Sequence, residues 1–284
     1  MNSLNSYMSS PFCSSKHSSY FDVYDELFKD YVNKPITFLE IGVANGGSLF
    51  MWRDFFGPQA RIIGVDLNPE VAVWRDHGFE IYIGSQSDSN FWETLVKEAG
   101  PIDIVLDDGG HTFHQQMTTV NSLLDAIVPN GLIVIEDTHT SYMNEFAPKP
   151  GRTFMDFAFS VVHGINYRFG SFSSNHEKKI YSIYFYESIV AFKINAGKCM
   201  PSSPTINNEN VIGYNASDYR YGNNKNTFDI SKYRNFYLKL KKFTLIYTLS
   251  KNLYSFITLI PKRLKNSRER KYIKNQIRFT HKKF

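Results

Sequence analysis

The stretch FLEIGVANGGSLFMWRDFFGPQARIIGVDLNP, residues 38–69, decides the fold. With Thr37 before it, it opens on a short apolar run, Thr37-Phe38-Leu39-Glu40-Ile41, of the kind that forms a buried strand. The run ends in a glycine-rich turn, Gly42 to Gly47. Ser48 to Phe56 then reads as a helix. Arg61 to Val65 reads as a second strand, ending at Asp66.

The same alternation continues toward the C-terminus. Phe79 to Ile83 and Ile102 to Leu106 read as the third and fourth strands, with a helix between them from Phe91 to Ala99 that Pro101 stops. The fourth strand runs into Asp107-Asp108-Gly109-Gly110-His111. A helix from Gln115 to Ile127 is closed by Pro129-Asn130-Gly131. A fifth strand, Leu132 to Ile135, ends in Glu136-Asp137. Apolar strands alternating with helices imply an α/β fold: a Rossmann-like, doubly wound, mostly parallel sheet with helices on both faces. Ile180 to Ile194 reads as two strands joined near Glu187, an antiparallel pair closing the sheet edge. Upstream, Tyr20 to Val32 has helical spacing, and Pro35 breaks it.

In such sheets ligands bind beyond the carboxyl ends of the strands. The polar residues of interest sit at those ends: Glu40, Asp66, Asp107, Asp108, His111, Glu136 and Asp137. Around the first turn, Glu40, Gly42, Gly46 and Ser48 are the candidate contacts to a cofactor. Glycines there permit tight turning and close approach of a ligand to backbone N–H groups. The pattern is GxxxGG after an acid, not the GxGxxG of dinucleotide sites. An acid at that place suits a ligand with a cationic amino group, as in S-adenosylmethionine (SAM). Asp66 can accept hydrogen bonds from both hydroxyls of a ribose. Gln86 and Ser87, after the third strand, are candidates for an adenine edge.

Asp107, Asp108, Glu136 and Asp137 end adjacent strands, and carboxylates so placed repel one another unless a cation joins them. Hard oxygen donors suit Mg²⁺ or another divalent cation. A metal bound to substrate oxygens would acidify a hydroxyl. His111 could then take the proton, histidine being suited to proton transfer near neutral pH. Asp107 reads either as a cofactor contact or as a group that orients its own loop. His139 reads as an accessory proton carrier, a substrate contact or a structural loop residue.

Three segments, FLEIGVANGGSLFMWRDFFGPQARIIGVDLNP, LDDGGHTFHQQ and GLIVIEDTHTSY, together resemble the metal-dependent macrolide sugar O-methyltransferases and their cephalosporin hydroxylase-like relatives. The resemblance covers roughly residues 15–195. It implies a class I SAM-dependent methyltransferase. It further implies Asp108, Glu136 and Asp137 as magnesium ligands, His111 as general base, and Glu40, Gly42, Asp66, Gln86 and Ser87 in the SAM site. Ser85 departs from the family, where an aspartate is expected. The implied acceptor is a sugar hydroxyl, on a surface polysaccharide, a lipid-linked glycan or a secondary metabolite. The competing readings are a nicotinamide-dependent oxidoreductase on the same sheet, a non-catalytic methyltransferase-like binding module, and an iron-dependent hydroxylase.

Charge divides the chain of 284 residues. Residues 231–284 carry 16 lysines and arginines against a single acid, Glu269, while the remainder carries 16 against 26. An acidic body does not suit a nucleic-acid enzyme with a basic cleft. The expected organisation is a flexible arm over 1–19, a methyltransferase domain over 20–199, a linker over 200–230 and a basic helical tail over 231–284. Within the tail, Phe243 to Ile260 has one narrow polar stripe on an apolar helix. Such a helix suits docking on the domain or on a second copy in a homo-oligomer, or peripheral contact with an anionic membrane. Two cysteines, Cys13 and Cys199, give no disulfide framework, and the polar N-terminus has no apolar signal-peptide core. A cytoplasmic location is therefore expected, either free or at the inner membrane face.

Overall fold

The computed structural model describes residues 2–146, 153–166, 172, 174–202, 204, 206 and 208. Seven strands form one sheet: β1 Thr37–Ile41, β2 Arg61–Asp66, β3 Glu80–Ile83, β4 Ile102–Asp107, β5 Ile127–Ile135, β6 Ile180–Tyr186 and β7 Ile189–Ile194. Their order is β3-β2-β1-β4-β5-β7-β6. β1 to β5 are parallel, and β7 runs antiparallel to both β5 and β6. The mostly parallel sheet with an antiparallel edge pair is the architecture expected from the sequence.

Seven α-helices accompany the sheet among the described residues: α1 Ser3–Ser9, α2 Tyr20–Phe28, α3 Gly47–Phe56, α4 Ser89–Ala99, α5 Phe113–Leu123, α6 Phe154–Asn166 and α7 Asn175–Lys179. Side chains on a strand alternate between faces, so neighbouring residues enter different cores. Phe38 and Ile104 join Trp52, Phe56 and Phe28 on the α2–α3 face. Leu39 and Val105, one residue further along each strand, join Trp92, Val120 and Phe154 on the α4–α6 face. Burial on both faces explains why these strands read as continuous apolar runs.

Several boundaries differ from the sequence reading. The segment expected to be a flexible arm carries α1, capped by the Asn2 side chain and tied down by Ser3, whose N–H donates to Asp25 at 2.8 Å and whose hydroxyl donates to the Phe21 carbonyl at 3.0 Å. Its Ser-rich composition hid the helix, because Ser3 and Ser6 are its buried residues. The helix expected to reach Val32 stops at Phe28 and tightens into a 3₁₀ turn over Lys29–Tyr31. α5 ends at Leu123 and β5 already begins at Ile127, with Asn130 left-handed at φ 73°. The third strand starts at Glu80 rather than Phe79. Most of the expected linker and the whole basic tail, including Phe243 to Ile260, lie outside the described residues. No helix among the described residues is long and apolar enough to cross a membrane.

Register sets the site. Ile41 pairs with Val65 and Asp107, and Asp107 pairs with Ile135. The strands therefore end level, and Asp66 at the end of β2 shares one edge with Gly42, Asp108 and Glu136, the residues just past β1, β4 and β5. The chain departs to opposite faces on either side of β1 and β4, which leaves a crevice between them.

Candidate active site

The first half of the site is the turn after β1. Gly42 has φ 92°, and a Cβ there would lie 2.1 Å from the Asp108 carbonyl oxygen. Only glycine lets the turn pack directly on the loop after β4. Gly46, at φ 77°, caps α3 with its Cα against the Trp74 indole. Asp66 ties the turn to the end of β2. One oxygen accepts the Val43 and Ala44 N–H groups at 2.9 and 3.0 Å, and the other accepts the Asn68 N–H at 2.9 Å. A carboxylate has about four acceptor sites, so the half-buried Asp66 retains capacity for a ribose hydroxyl.

Other sequence candidates turn inward. Glu40 is fully buried and accepts from the Ser48 hydroxyl at 2.8 Å and the Trp52 indole at 3.0 Å. Burial pushes its pKa up to about 7 against the pull of Lys16, Trp52 and Ser48. Ser48 thus serves Glu40 at the start of α3. Gln86 is buried too. Its amide nitrogen reaches both Asp107 oxygens, at 2.7 and 2.6 Å, and its oxygen accepts the Gly110 N–H at 3.1 Å. Asp107 also accepts the Gly109 N–H at 3.2 Å, and burial pushes its pKa up to about 6. These contacts make Asp107 and Gln86 organisers of the Asp108–His111 loop. Ser87 stands exposed beyond β3, where the sequence reading put an adenine contact.

The second half lies past β4 and β5. His111 and Asp137 both adopt left-handed backbones, at φ 57° and 53°. Such conformations cost a non-glycine residue on the order of 1–3 kcal/mol and concentrate at functional sites. They bring His111 Nε2 to 3.5 Å from Asp137 Oδ2. The Thr140 hydroxyl lies 3.0 Å from the His111 carbonyl and 2.7 Å from that of Asp137, stapling the two loops. Asp108, His111 and Asp137 each offer a ligand atom within 4.8 Å of the others. His111 Nδ1 is buried with no hydrogen-bond partner. Two hard oxygens beside an imidazole suit a divalent cation with open positions. His139 lies at the rim, with Nδ1 2.9 Å from the Ser188 hydroxyl and 3.9 Å from Asp137 Oδ1.

Glu136, the third expected ligand, sits deeper than Asp108 and Asp137. It is fully buried, and both oxygens are engaged: Tyr24 donates to one at 2.5 Å and Lys16 to the other at 2.8 Å. Burial pushes the Glu136 pKa up, and the Lys16 ammonium opposes that shift. Lys16 also contacts Asp108 at 2.7 Å. Tyr20 donates to Asp137 at 2.5 Å, and burial together with that bond holds its phenol protonated. Sequence reasoning missed Lys16, Tyr20 and Tyr24. The available signal was the spacing of the two tyrosines, four residues apart on one helical face, which can deliver both hydroxyls to one edge.

A glycine turn beside an acid-ended strand faces a carboxylate–histidine pair across the β1/β4 crevice of a Rossmann-like methyltransferase fold. Residues 39–138 match the family described as a methyltransferase domain. Among curated proteins, the chain is 35% identical to the 8-demethyl-8-(2-methoxy-alpha-L-rhamnosyl)-tetracenomycin-C 3'-O-methyltransferase of Streptomyces olivaceus, over 51% of this chain and 40% of that protein. It is 38% identical to the mycinamicin VI 2''-O-methyltransferase of Micromonospora griseorubida, over 43% of this chain and 32% of that protein. The solved structure of the MycE methyltransferase in complex with Mg, SAH and mycinamycin VI superposes with a TM-score of 0.60 at 28% identity, over 68% of this chain and 52% of that one. The chain thus resembles the macrolide sugar O-methyltransferases while spanning less than half the length of either curated relative.

Proposed function

We propose that this chain transfers a methyl group from SAM to a sugar hydroxyl, with Mg²⁺ or another divalent cation at the Asp108–Asp137 centre. The observation that carries the reading is the meeting of His111 with Asp108 and Asp137 beside the Gly42–Asp66 turn. SAM supplies the methyl group, and the cation supplies positive charge that eases loss of the acceptor's proton. The Gly42 turn and Asp66 hold the ribose and methionine portions. His111 would accept the hydroxyl proton at Nε2, and the Asp137 carboxylate 3.5 Å away would stabilise the imidazolium so formed. The Thr140 staple keeps base and carboxylate in register, so positioning supplies a large share of the rate.

The relatives' printed activities on rhamnosyl and macrolide sugars support a glycosylated acceptor. The family match favours methyl transfer over nicotinamide chemistry. Calorimetric titration of SAM into the protein, with and without Mg²⁺, tests the reading. Micromolar binding that Asp66→Ala weakens at least about tenfold is expected, for loss of a charged hydrogen-bond acceptor. Absence of SAM binding under both conditions refutes it.

A further inference from the structure

Lys16 is the buried cation that the proposed chemistry leaves unused. Its side chain is 2% exposed, and the ammonium sits 2.7 Å from Asp108 Oδ2 and 2.8 Å from Glu136 Oε2. Burial alone would drive its pKa down, but the charges of Glu136, Tyr24, Asp108 and Glu40 outweigh burial and raise it. The segment that delivers it is anchored on the cofactor side. The Ser10 hydroxyl donates to the Gly47 carbonyl at 2.8 Å, and Phe12 packs edge-on against Trp74 at 4.7 Å. Tyr7 donates to the Ser14 carbonyl at 2.7 Å, holding the chain two residues before Lys16. The strap over residues 10–16 therefore runs from the first turn of α3 to the carboxylate centre.

We propose that Lys16 is a positioning residue whose ammonium shares the carboxylates of the centre with the divalent ion. While Lys16 is seated, it holds one Asp108 oxygen and the Glu136 oxygen that Tyr24 leaves open. An entering ion then finds Asp108 and Asp137, beside the His111 base, and gains Glu136 only as Lys16 withdraws. A fixed positive charge a few ångströms from a divalent site opposes binding strongly in a partly buried setting. Lys16 thus keeps metal affinity low and couples full coordination to movement of the strap. This inference rests on the metal site proposed above.

The test is Mn²⁺ binding, read by the paramagnetic resonance signal of the free ion, to full-length wild type, Lys16→Met, Lys16→Gln, Lys16→Arg and Asp108→Asn. Lys16→Met and Lys16→Gln are expected to bind Mn²⁺ about tenfold tighter or more, as follows from removing a neighbouring like charge. Lys16→Arg should stay near wild type, and Asp108→Asn should be weaker. Should the neutral variants fold poorly, hydrogen exchange on wild type remains: Mn²⁺ should speed exchange over residues 10–19. Equal or weaker Mn²⁺ binding in the neutral variants, with Asp108→Asn still weakened, overturns the role of Lys16 and leaves the metal site standing. Unchanged exchange over the strap on saturation with Mn²⁺ also overturns it. No binding by any of the five proteins removes the metal site itself, and this inference with it.

Discussion

Glu40 shows what burial does to a single residue. Its carboxyl has two good donors, Ser48 and Trp52, yet burial pushes its pKa up to about 7. The folded protein therefore holds this proton more tightly than the unfolded chain, where glutamate releases it near pH 4.5. Stability from this group is fully present below pH 4.5 and is lost as pH rises through about 7. Glu40→Gln keeps an acceptor for Trp52 or Ser48 and removes the titration. Chemical denaturation of the metal-free protein at pH 5 and pH 8 should show a smaller fall in stability for the variant than for wild type. An equal fall would place the titrating group elsewhere. Tyr24 carries a second residue-scale expectation. Tyr24→Phe leaves a buried Glu136 oxygen without its donor, at a cost of about 1–3 kcal/mol in an unfolding titration.

At the level of elements, the turn after β1 and the loop after β4 are built against each other. The Gly42 N–H donates to Val65 on one side, and its Cα faces the Asp108 carbonyl on the other. Gly42→Ala places a methyl group inside backbone at a positive φ, so the two loops must part. A loss of roughly 2–4 kcal/mol is expected, from strain and displaced packing together. Thermal unfolding measures it, and a loss below about 0.5 kcal/mol, the level of an ordinary surface change, would mean the turn yields freely. The element boundaries were legible where pattern and punctuation agreed: glycines and Pro101 marked turns, and apolar runs marked strands. The α1 helix was not legible, because a short helix that buries serines shows no apolar stripe. Nor was the early start of β5, since Pro129 and Asn130 read as a turn although the strand runs through them.

Across the whole molecule, one sheet separates two cores. Ile104 belongs to the cluster on the α2–α3 face and Val120 to the cluster under α4–α6. Ile104→Val should cost about 0.5–1.5 kcal/mol and Val120→Ala roughly 1.5–2 kcal/mol, and the double variant should cost their sum to within about 0.5 kcal/mol. A larger departure in denaturant unfolding would show that the faces are coupled through the strands. The same architecture explains which part of the site the sequence could disclose. Asp66 and Asp107 end β2 and β4, and Asp108, Glu136 and Asp137 follow β4 and β5 within two residues, so counting strands locates them. Lys16 lies 92 residues from Asp108 and 120 from Glu136 in the chain, and no local pattern links such distant partners. Tyr20 and Tyr24 have their rings in the core, but their hydroxyls reach Asp137 and Glu136 past the end of β5.

The Thr140 hydroxyl has one hydrogen and faces two carbonyls, His111 on one loop and Asp137 on the other. It can donate fully to only one of them at a time, so the bond alternates or is shared. Either way the loops after β4 and β5 are yoked: a displacement of one drags its neighbour. Neither loop can shift at His111 or Asp137 without changing the hydrogen bond available to the other.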